Sequence, residues 1–310
     1  MPRVFGHLPA VGTLTFAFAL ALGAFAAAAP AATAQVAPTS HPAAAPMFGA
    51  TVPSQSAFNR DTADFGHMAI VHTYYSGLPD KDAWTRGLPG EAHSAVIVSF
   101  NAKPADILNG HDDAALSQFF DSAPTGHTIY YCYVHEPEHQ IAHDGLNMKQ
   151  YLQAWPRVVA LAKAAHNPDL HSMVILEAYD LKASTHRNWK DYVPGGGIIS
   201  TIGWDAYPGA GDDELVSPSQ FMGPAAAASK AAHMPFGFAE FGVTNQPGRA
   251  AWLTAVGAYI KSSGALFGTL FDSQPKGTPP LILNDSASIA AWRAVVRSSG
   301  ADPAGAKLTK

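Results

Sequence analysis

Two glutamates stand where chemistry could be done. Glu136 closes the run Tyr130-Tyr131-Cys132-Tyr133-Val134-His135-Glu136, and Glu240 lies in Phe236-Gly237-Phe238-Ala239-Glu240-Phe241-Gly242. Both sit among aromatic and apolar residues. A carboxyl in such surroundings is poorly hydrated, which favours its neutral form and raises its pKa. One carboxyl that keeps its proton, facing another that has lost it, is the pairing that glycosidic-bond cleavage requires. A second chemistry is spelled over the first glutamate. His135-Glu136-Pro137-Glu138-His139 matches H-E-x-x-H, and His143 extends the four-residue spacing. That is the zinc-metalloprotease pattern, in which two histidines on one helical face would hold zinc while the glutamate works on metal-bound water. Pro137 opposes that reading, because proline drives the preceding residue out of helical geometry and Tyr130–Val134 reads as a strand. A helix starting at Pro137 leaves His135 outside it. The other histidines are scattered, and neither metal nor organic cofactor is expected. Glu138 is the fallback acid should Glu136 not serve.

The elements that must position these residues follow from rhythm. Short β-rich apolar runs recur at Phe48–Val52, Met68–Thr73, Ala95–Phe100, Thr128–Val134, Met173–Ala178, Ile198–Trp204, Phe236–Phe241 and Leu266–Phe271. Between them lie amphipathic helical stretches at Ala105–Phe120, Lys149–Ala165, Pro218–Ala232, Arg249–Ser262 and Ser286–Arg297. Strand–helix alternation of this extent predicts an α/β fold, a (β/α)8 TIM barrel forming a single domain over residues 47–310. A doubly wound open sheet is the rival. It commonly has a Gly-rich phosphate loop after its first strand, which Phe48-Gly49-Ala50-Thr51 is not. Gly195-Gly196-Gly197 precedes a strand rather than opening a helix, so no nucleotide site is expected. In a barrel of this kind chemistry sits at the C-terminal ends of the strands, where Glu136 and Glu240 fall on the fourth and seventh.

Composition narrows the classes further. Of 310 residues only 14% are charged, and the formal net charge is −5, so there is no basic footprint for nucleic acid. The single cysteine, Cys132, excludes an internal disulfide framework. Met1-Pro2-Arg3, the apolar run Val11–Ala29 and Ala32-Thr33-Ala34 have the order of a secretory signal over residues 1–34. An uncleaved membrane anchor is the other reading of that segment. Residues 35–46, rich in Ala and Pro, read as a leader. The expected mature protein is secreted, extracellular or periplasmic, monomeric and without a membrane partner.

Several segments together resemble glycoside hydrolase family 26. They are Val96-Ile97-Val98-Ser99-Phe100 with Ile107-Leu108-Asn109-Gly110-His111-Asp112, Val134-His135-Glu136, Ile202-Gly203-Trp204-Asp205-Ala206-Tyr207, and Pro235-Phe236-Gly237-Phe238-Ala239-Glu240-Phe241-Gly242. The resemblance implies a retaining glycosidase acting on a β-linked polysaccharide or oligosaccharide, of mannan or mixed-linkage type. It implies Glu136 as general acid/base, Glu240 as nucleophile and His135 as a sugar-contacting neighbour of the acid. Tyr207 would be the hydroxyl that holds the nucleophile or the reacting sugar. Asp205 and Trp204, in the same motif, are candidate substrate contacts. The chain departs from the family's mannan-degrading members after the His-Glu pair, where it has Pro137-Glu138-His139-Gln140. At the eighth strand it has Thr269-Leu270-Phe271-Asp272, where many relatives place a tryptophan. Trp189 and Tyr74-Tyr75 are candidate sugar-stacking platforms. A non-catalytic carbohydrate-binding barrel is the alternative to an enzyme.

Overall fold

The structure is a computed structural model that describes residues 45–209, 214–274 and 280–305. The segment read as a secretory signal, and all but the last two residues of the leader, lie outside the described residues. Eight strands close into a parallel barrel in chain order: β1 Met47–Thr51, β2 Ile70–Tyr75, β3 Ala95–Phe100, β4 Ile129–Tyr133, β5 Leu170–Glu177, β6 Thr201–Asp205, β7 Phe236–Phe241 and β8 Phe267–Phe271. β8 pairs back onto β1. The barrel predicted from the sequence is therefore the one observed, with β3 and β7 bounded as expected.

The connecting helices are α1 Gln55–Phe65, α2 Ala83–Arg86, α3 Leu88–Glu91, α4 Pro104–Asn109, α5 Asp113–Asp121, α6 Pro137–His143, α7 Met148–Ala164, α8 Pro218–Phe221, α9 Gly223–Ala231, α10 Arg249–Ser263 and α11 Ser286–Val296. The single helix expected over Ala105–Phe120 is two. Gly110 takes a left-handed conformation with φ 76° and ends α4, which only glycine does without steric cost. The stretch expected at Pro218–Ala232 likewise divides into α8 and α9. Helix α1, which the sequence reading does not include, is capped by Ser54, whose hydroxyl accepts from Ala57 N at 3.2 Å. No helix among the described residues is long and apolar enough to cross a membrane.

Alternation along the strands sorts side chains into two layers. Ile70, Ala95, Ile97, Tyr130, Cys132, Met173, Ile175, Ala239 and Phe267 fill the barrel interior. The intervening residues, among them Val71, Val96, Val98, Tyr131, Tyr133, Val174, Leu176, Trp204 and Phe238, pack against the helices. The interior is narrow. A Cβ on Gly203 would stand 2.9 Å from Ile175 Cγ1 and 3.1 Å from Ala239 Cβ. Full burial of each large outer side chain contributes about 1.5–3 kcal/mol. That layer makes the frame stiff enough to hold polar groups in its mouth.

Candidate active site

Continuing the inward alternation toward the C-terminal ends changes the chemistry from apolar to polar. Above Ile70 comes His72, above Ile97 comes Ser99, above Ile175 comes Glu177, and above Gly203 comes Asp205. Glu177 pairs in register with Asp205, and Asp205 with Glu240, so three carboxyls stand side by side across β5, β6 and β7.

Glu240 reaches this row through an irregularity. Simple alternation would turn it outward, since Ala239 already faces in. The β6–β7 register shifts between Trp204 and Asp205, where Phe238 and then Glu240 are paired, leaving Ala239 as an extra residue. A bulge of this sort re-aims the following side chain, and here it turns Glu240 into the mouth. The freed Ala239 carbonyl accepts from Thr51 Oγ1 at 3.2 Å and from the Thr269 hydroxyl.

His135 and Glu136 are turned inward by strained backbone. Val134 has φ 61° and Glu136 has φ 48°, both left-handed. Such a conformation is a true outlier for a β-branched residue, costs on the order of 1–3 kcal/mol, and clusters at functional sites. The neighbours hold it: Val134 N donates to Phe100 O at 2.8 Å, and His135 N donates to Asn101 Oδ1 at 3.2 Å. Pro137 then opens α6, with Glu136 as the residue before it.

The side chains converge on one nitrogen. His135 Nε2 lies 3.0 Å from Asp205 Oδ2, 4.0 Å from Glu136 Oε2 and 4.0 Å from Glu240 Oε1. The last two oxygens are therefore within twice that distance of each other. The other oxygen of Glu240, Oε2, accepts from Tyr207 Oη at 3.1 Å. Behind Glu240, His72 Nδ1 stands 3.6 Å from Oε1. Asp205 is buried, and neither of its oxygens has a well-aligned hydrogen bond.

Burial raises all three carboxyls, and the charges among them act in one direction. Glu240 is pushed up to about 8, first by loss of water and then by Asp205, with His135 and Tyr207 drawing it back. Glu136 is pushed well above the usual carboxylate range by burial; His135 opposes this, while Asp205 and Glu240 add to it. Asp205 is itself raised by burial and lowered by its contact with Glu136. A carboxylate on Asp205 thus disfavours ionisation of Glu240, and both disfavour ionisation of Glu136. The arrangement suits a proton kept on Glu136 while Glu240 is charged.

Glu136 borders two cavities. One, of about 370 Å³, is lined by Tyr74, Tyr75, Ser99, Asn101, His135 and Glu240 among others. The other, of about 340 Å³, is lined by Asp205, Tyr207, Glu177, Tyr179, Lys182, Val216 and Phe221 among others. Together they make a cleft across the mouth with the Glu136 carboxyl between its two halves.

Six of the candidate residues thus come together: Glu136, Glu240, His135, Asp205, Tyr207 and Tyr74, whose exposed ring lines the larger cavity. Two do not, and the expectation for them is corrected. Trp204 precedes inward-facing Asp205 and so points outward; its Nε1 donates to Ser229 Oγ at 2.8 Å on α9, and it has no exposed surface. Trp189 packs edge-on against Trp204 with ring centroids 5.6 Å apart and lines neither cavity. Glu138 is buried too, with one oxygen accepting from Glu177 N, and burial pushes it up to about 9. It lines neither cavity. Sequence reading missed His72, Ser99 and Glu177, whose signal was their place in the inward alternation.

Two groups among the described residues are compact enough to hold a metal ion: His72, His135 and Glu240, and His135, Glu136 and Asp205, with donor atoms within 4.8 Å of one another. Neither contains His139. That residue lies within α6, its ring tilted against His143 with centroids 4.6 Å apart and its Nδ1 3.9 Å from Glu177 Oε1. His135 precedes the helix, so the H-E-x-x-H spelling does not assemble as a helical zinc site.

Fold and site define a (β/α)8 barrel with carboxyls at the ends of its fourth and seventh strands. Solved structures of glycoside hydrolase family 26 share this fold. A family 26 β-mannanase from Bacteroides ovatus matches with a TM-score of 0.57 at 13% identity, over 82% of this chain and 89% of that one. A modular endo-β-1,4-mannanase from Cellulomonas fimi matches at 0.57 and 12% identity, over 82% of this chain and 71% of that one. The family 26 domain of an endo-β-mannanase/endo-β-glucanase from Prevotella bryantii matches at 0.54 and 13% identity, covering 82% and 89%. No protein-family model matches the sequence, and no curated protein matches it.

Proposed function

We propose that the protein is a secreted, retaining glycoside hydrolase that cleaves β-linked polysaccharide of mannan or mixed-linkage type. The observation that carries this reading is the pair Glu136 and Glu240, each with a carboxyl oxygen 4.0 Å from the same nitrogen of His135. That arrangement admits the separation of about 5–5.5 Å used in double displacement. Glu240 forms a bond to the anomeric carbon as the bond to the leaving oxygen breaks, and Glu136 gives that oxygen its proton. Water then attacks the glycosyl–enzyme ester, giving its proton to Glu136 and releasing the Glu240 carboxylate. The fold shared with mannanases and a glucanase supports the substrate class, and the charge–apolar–small-residue order at the N-terminus supports secretion. The chain works as a monomer, with no metal or organic cofactor in the carboxylate mechanism.

The test is hydrolysis of a panel of mannans, mixed-linkage glucans and xylans by wild type, Glu136→Ala and Glu240→Ala. Reducing-sugar release by wild type, its loss in both variants, and rescue of Glu240→Ala by azide are expected. Wild type that binds glycan without cleaving any would make the barrel a binding module. An active Glu240→Ala protein would overturn the assignment of the nucleophile.

A further inference from the structure

We infer that His72 and Ser99 are positioning residues that keep the proton of His135 on Nδ1, so that Nε2 faces the reacting carboxyls without a proton of its own. What this does for catalysis rests on the reading of Glu136 and Glu240 given above. The proton arrangement itself does not.

The argument runs along one hydrogen-bonded chain in the barrel mouth. His72 Nδ1 lies 3.1 Å from the carbonyl oxygen of Ala239, which can only accept, so Nδ1 carries a proton. Thr51 Oγ1, 3.3 Å from the same nitrogen, spends its own proton on that carbonyl and accepts as well. The ring is fully buried, and burial lowers its pKa to about 3. His72 is therefore neutral with a single proton, and Nε2 is an acceptor. Ser99 Oγ lies 2.9 Å from Nε2 and must donate to it. With its only proton committed, Ser99 offers lone pairs to His135 Nδ1 at 3.4 Å, so that nitrogen donates. Reversing the serine would set two lone pairs against each other in a buried place, at a cost of about 1–3 kcal/mol.

The bulge at Ala239 thus fixes the tautomer of His135 through two intervening side chains, His72 and Ser99. His135 Nε2 is left facing Asp205 on β6, Glu136 beyond β4 and Glu240 on β7, while His72 stacks on its ring at 5.6 Å and Tyr74 lies at 6.5 Å. With Nε2 bare, the proton of its 3.0 Å contact with Oδ2 lies on Asp205, whose carboxyl burial raises well above the usual range, and it can pass from there to Nε2. That transfer creates a carboxylate and an imidazolium together and puts a positive charge beside Glu240. A neutral ring already holding its proton on Nε2 could not take up that charge there.

The experiment is nitrogen-15 NMR of histidine-labelled protein, with the two rings assigned through His72→Asn and His135→Gln. Both wild-type rings are expected to show a protonated Nδ1, with Nε2 of His72 bare across the working pH range. Ser99→Ala removes the acceptor, and the His135 proton is expected to move to Nε2; Ser99→Thr keeps the hydroxyl and restores Nδ1. In Ser99→Ala kcat should fall about tenfold while KM stays within twofold, a split that mere loosening of the fold would not produce. A wild-type His135 protonated on Nε2 alone, or a Ser99→Ala spectrum and pH–rate profile identical to wild type, would overturn the inference. The spectra report this even if no glycan is cleaved, so they fail or succeed separately from the proposed activity.

Discussion

Tyr207 donates its hydroxyl proton to Oε2 of Glu240 across 3.1 Å, while Oε1 of the same carboxyl faces His72 at 3.6 Å. Tyr207 has no acidic role here, since burial and the Glu240 charge push its own pKa well up. It favours the charged form of Glu240, whose carboxyl burial still raises to about 8. In Tyr207→Phe the carboxyl should ionise at still higher pH, so the acid limb of kcat/KM moves up. A hydrogen bond to a charged group contributes about 1.5–3 kcal/mol, or roughly tenfold and more in rate below that limb. A pH–rate profile measured from pH 5 to 9 checks this, and an unmoved acid limb would refute it.

Asp205→Asn should move the same limb the other way. Once ionised, Asp205 exerts the largest charge effect raising Glu240, and it also raises Glu136. Removing that charge lets Glu240 ionise and Glu136 lose its proton at lower pH. Both limbs of kcat/KM should therefore shift down, with the height of the profile set by what His135 loses at Nε2. Opposite displacements in Tyr207→Phe and Asp205→Asn would place Glu240 in the titrating step by kinetics alone.

How much of this was legible in the sequence depended on whether alternation held. The eight strands were readable because each buried run is continuous and β-rich, and the fourth and seventh ends pointed to Glu136 and Glu240. Strict alternation also contained the fate of Trp204: once Asp205 faces inward, its predecessor faces the helices. Where the backbone departs from alternation, the sequence was silent. Alternation alone would send Glu240 outward, and only the extra residue at Ala239 turns it in. His135 and Glu136 both face the mouth because Val134 and Glu136 are left-handed, and neither residue type announces that conformation. His72 and Ser99 were visible as polar letters between apolar ones, but their partner, a freed carbonyl, has no sequence signal.

The aromatic residues should separate by what they do. Tyr74 is 42% exposed and lines the larger cavity, so Tyr74→Ala should raise KM about tenfold through lost apolar contact with the sugar and leave thermal stability nearly unchanged. Trp189→Ala should do the reverse. Its buried ring packs edge-on against Trp204, and truncation of a packed tryptophan costs roughly 3–5 kcal/mol. Measured together, a KM change confined to Tyr74→Ala and a melting-temperature drop confined to Trp189→Ala would support the corrected assignment. A raised KM with intact stability in Trp189→Ala would return that residue to the substrate.

A last prediction concerns a pair outside the cleft. Asp61 on α1 and Asp272 just after β8 are both fully buried, bridged by Arg60, whose Nη2 lies 2.7 Å from Asp61 and 3.5 Å from Asp272. Asp272 Oδ1 also accepts from Leu283 N at 2.5 Å, which ties the segment after β8 to the barrel. Burial first, and the Asp272 charge second, raise Asp61 to about 8. An unfolded aspartate titrates near 3.9, so between about pH 4 and 8 the native state holds a proton that the unfolded state has lost. The contribution of Asp61 to stability is therefore greatest below about pH 4 and declines as pH rises through that window. Asp61→Asn keeps the neutral shape at every pH. Its melting temperature should fall less steeply than wild type's from pH 4 to 8 and should exceed wild type's at pH 8. Parallel curves for the two proteins would show that the carboxyl titrates normally and that Arg60 neutralises it outright.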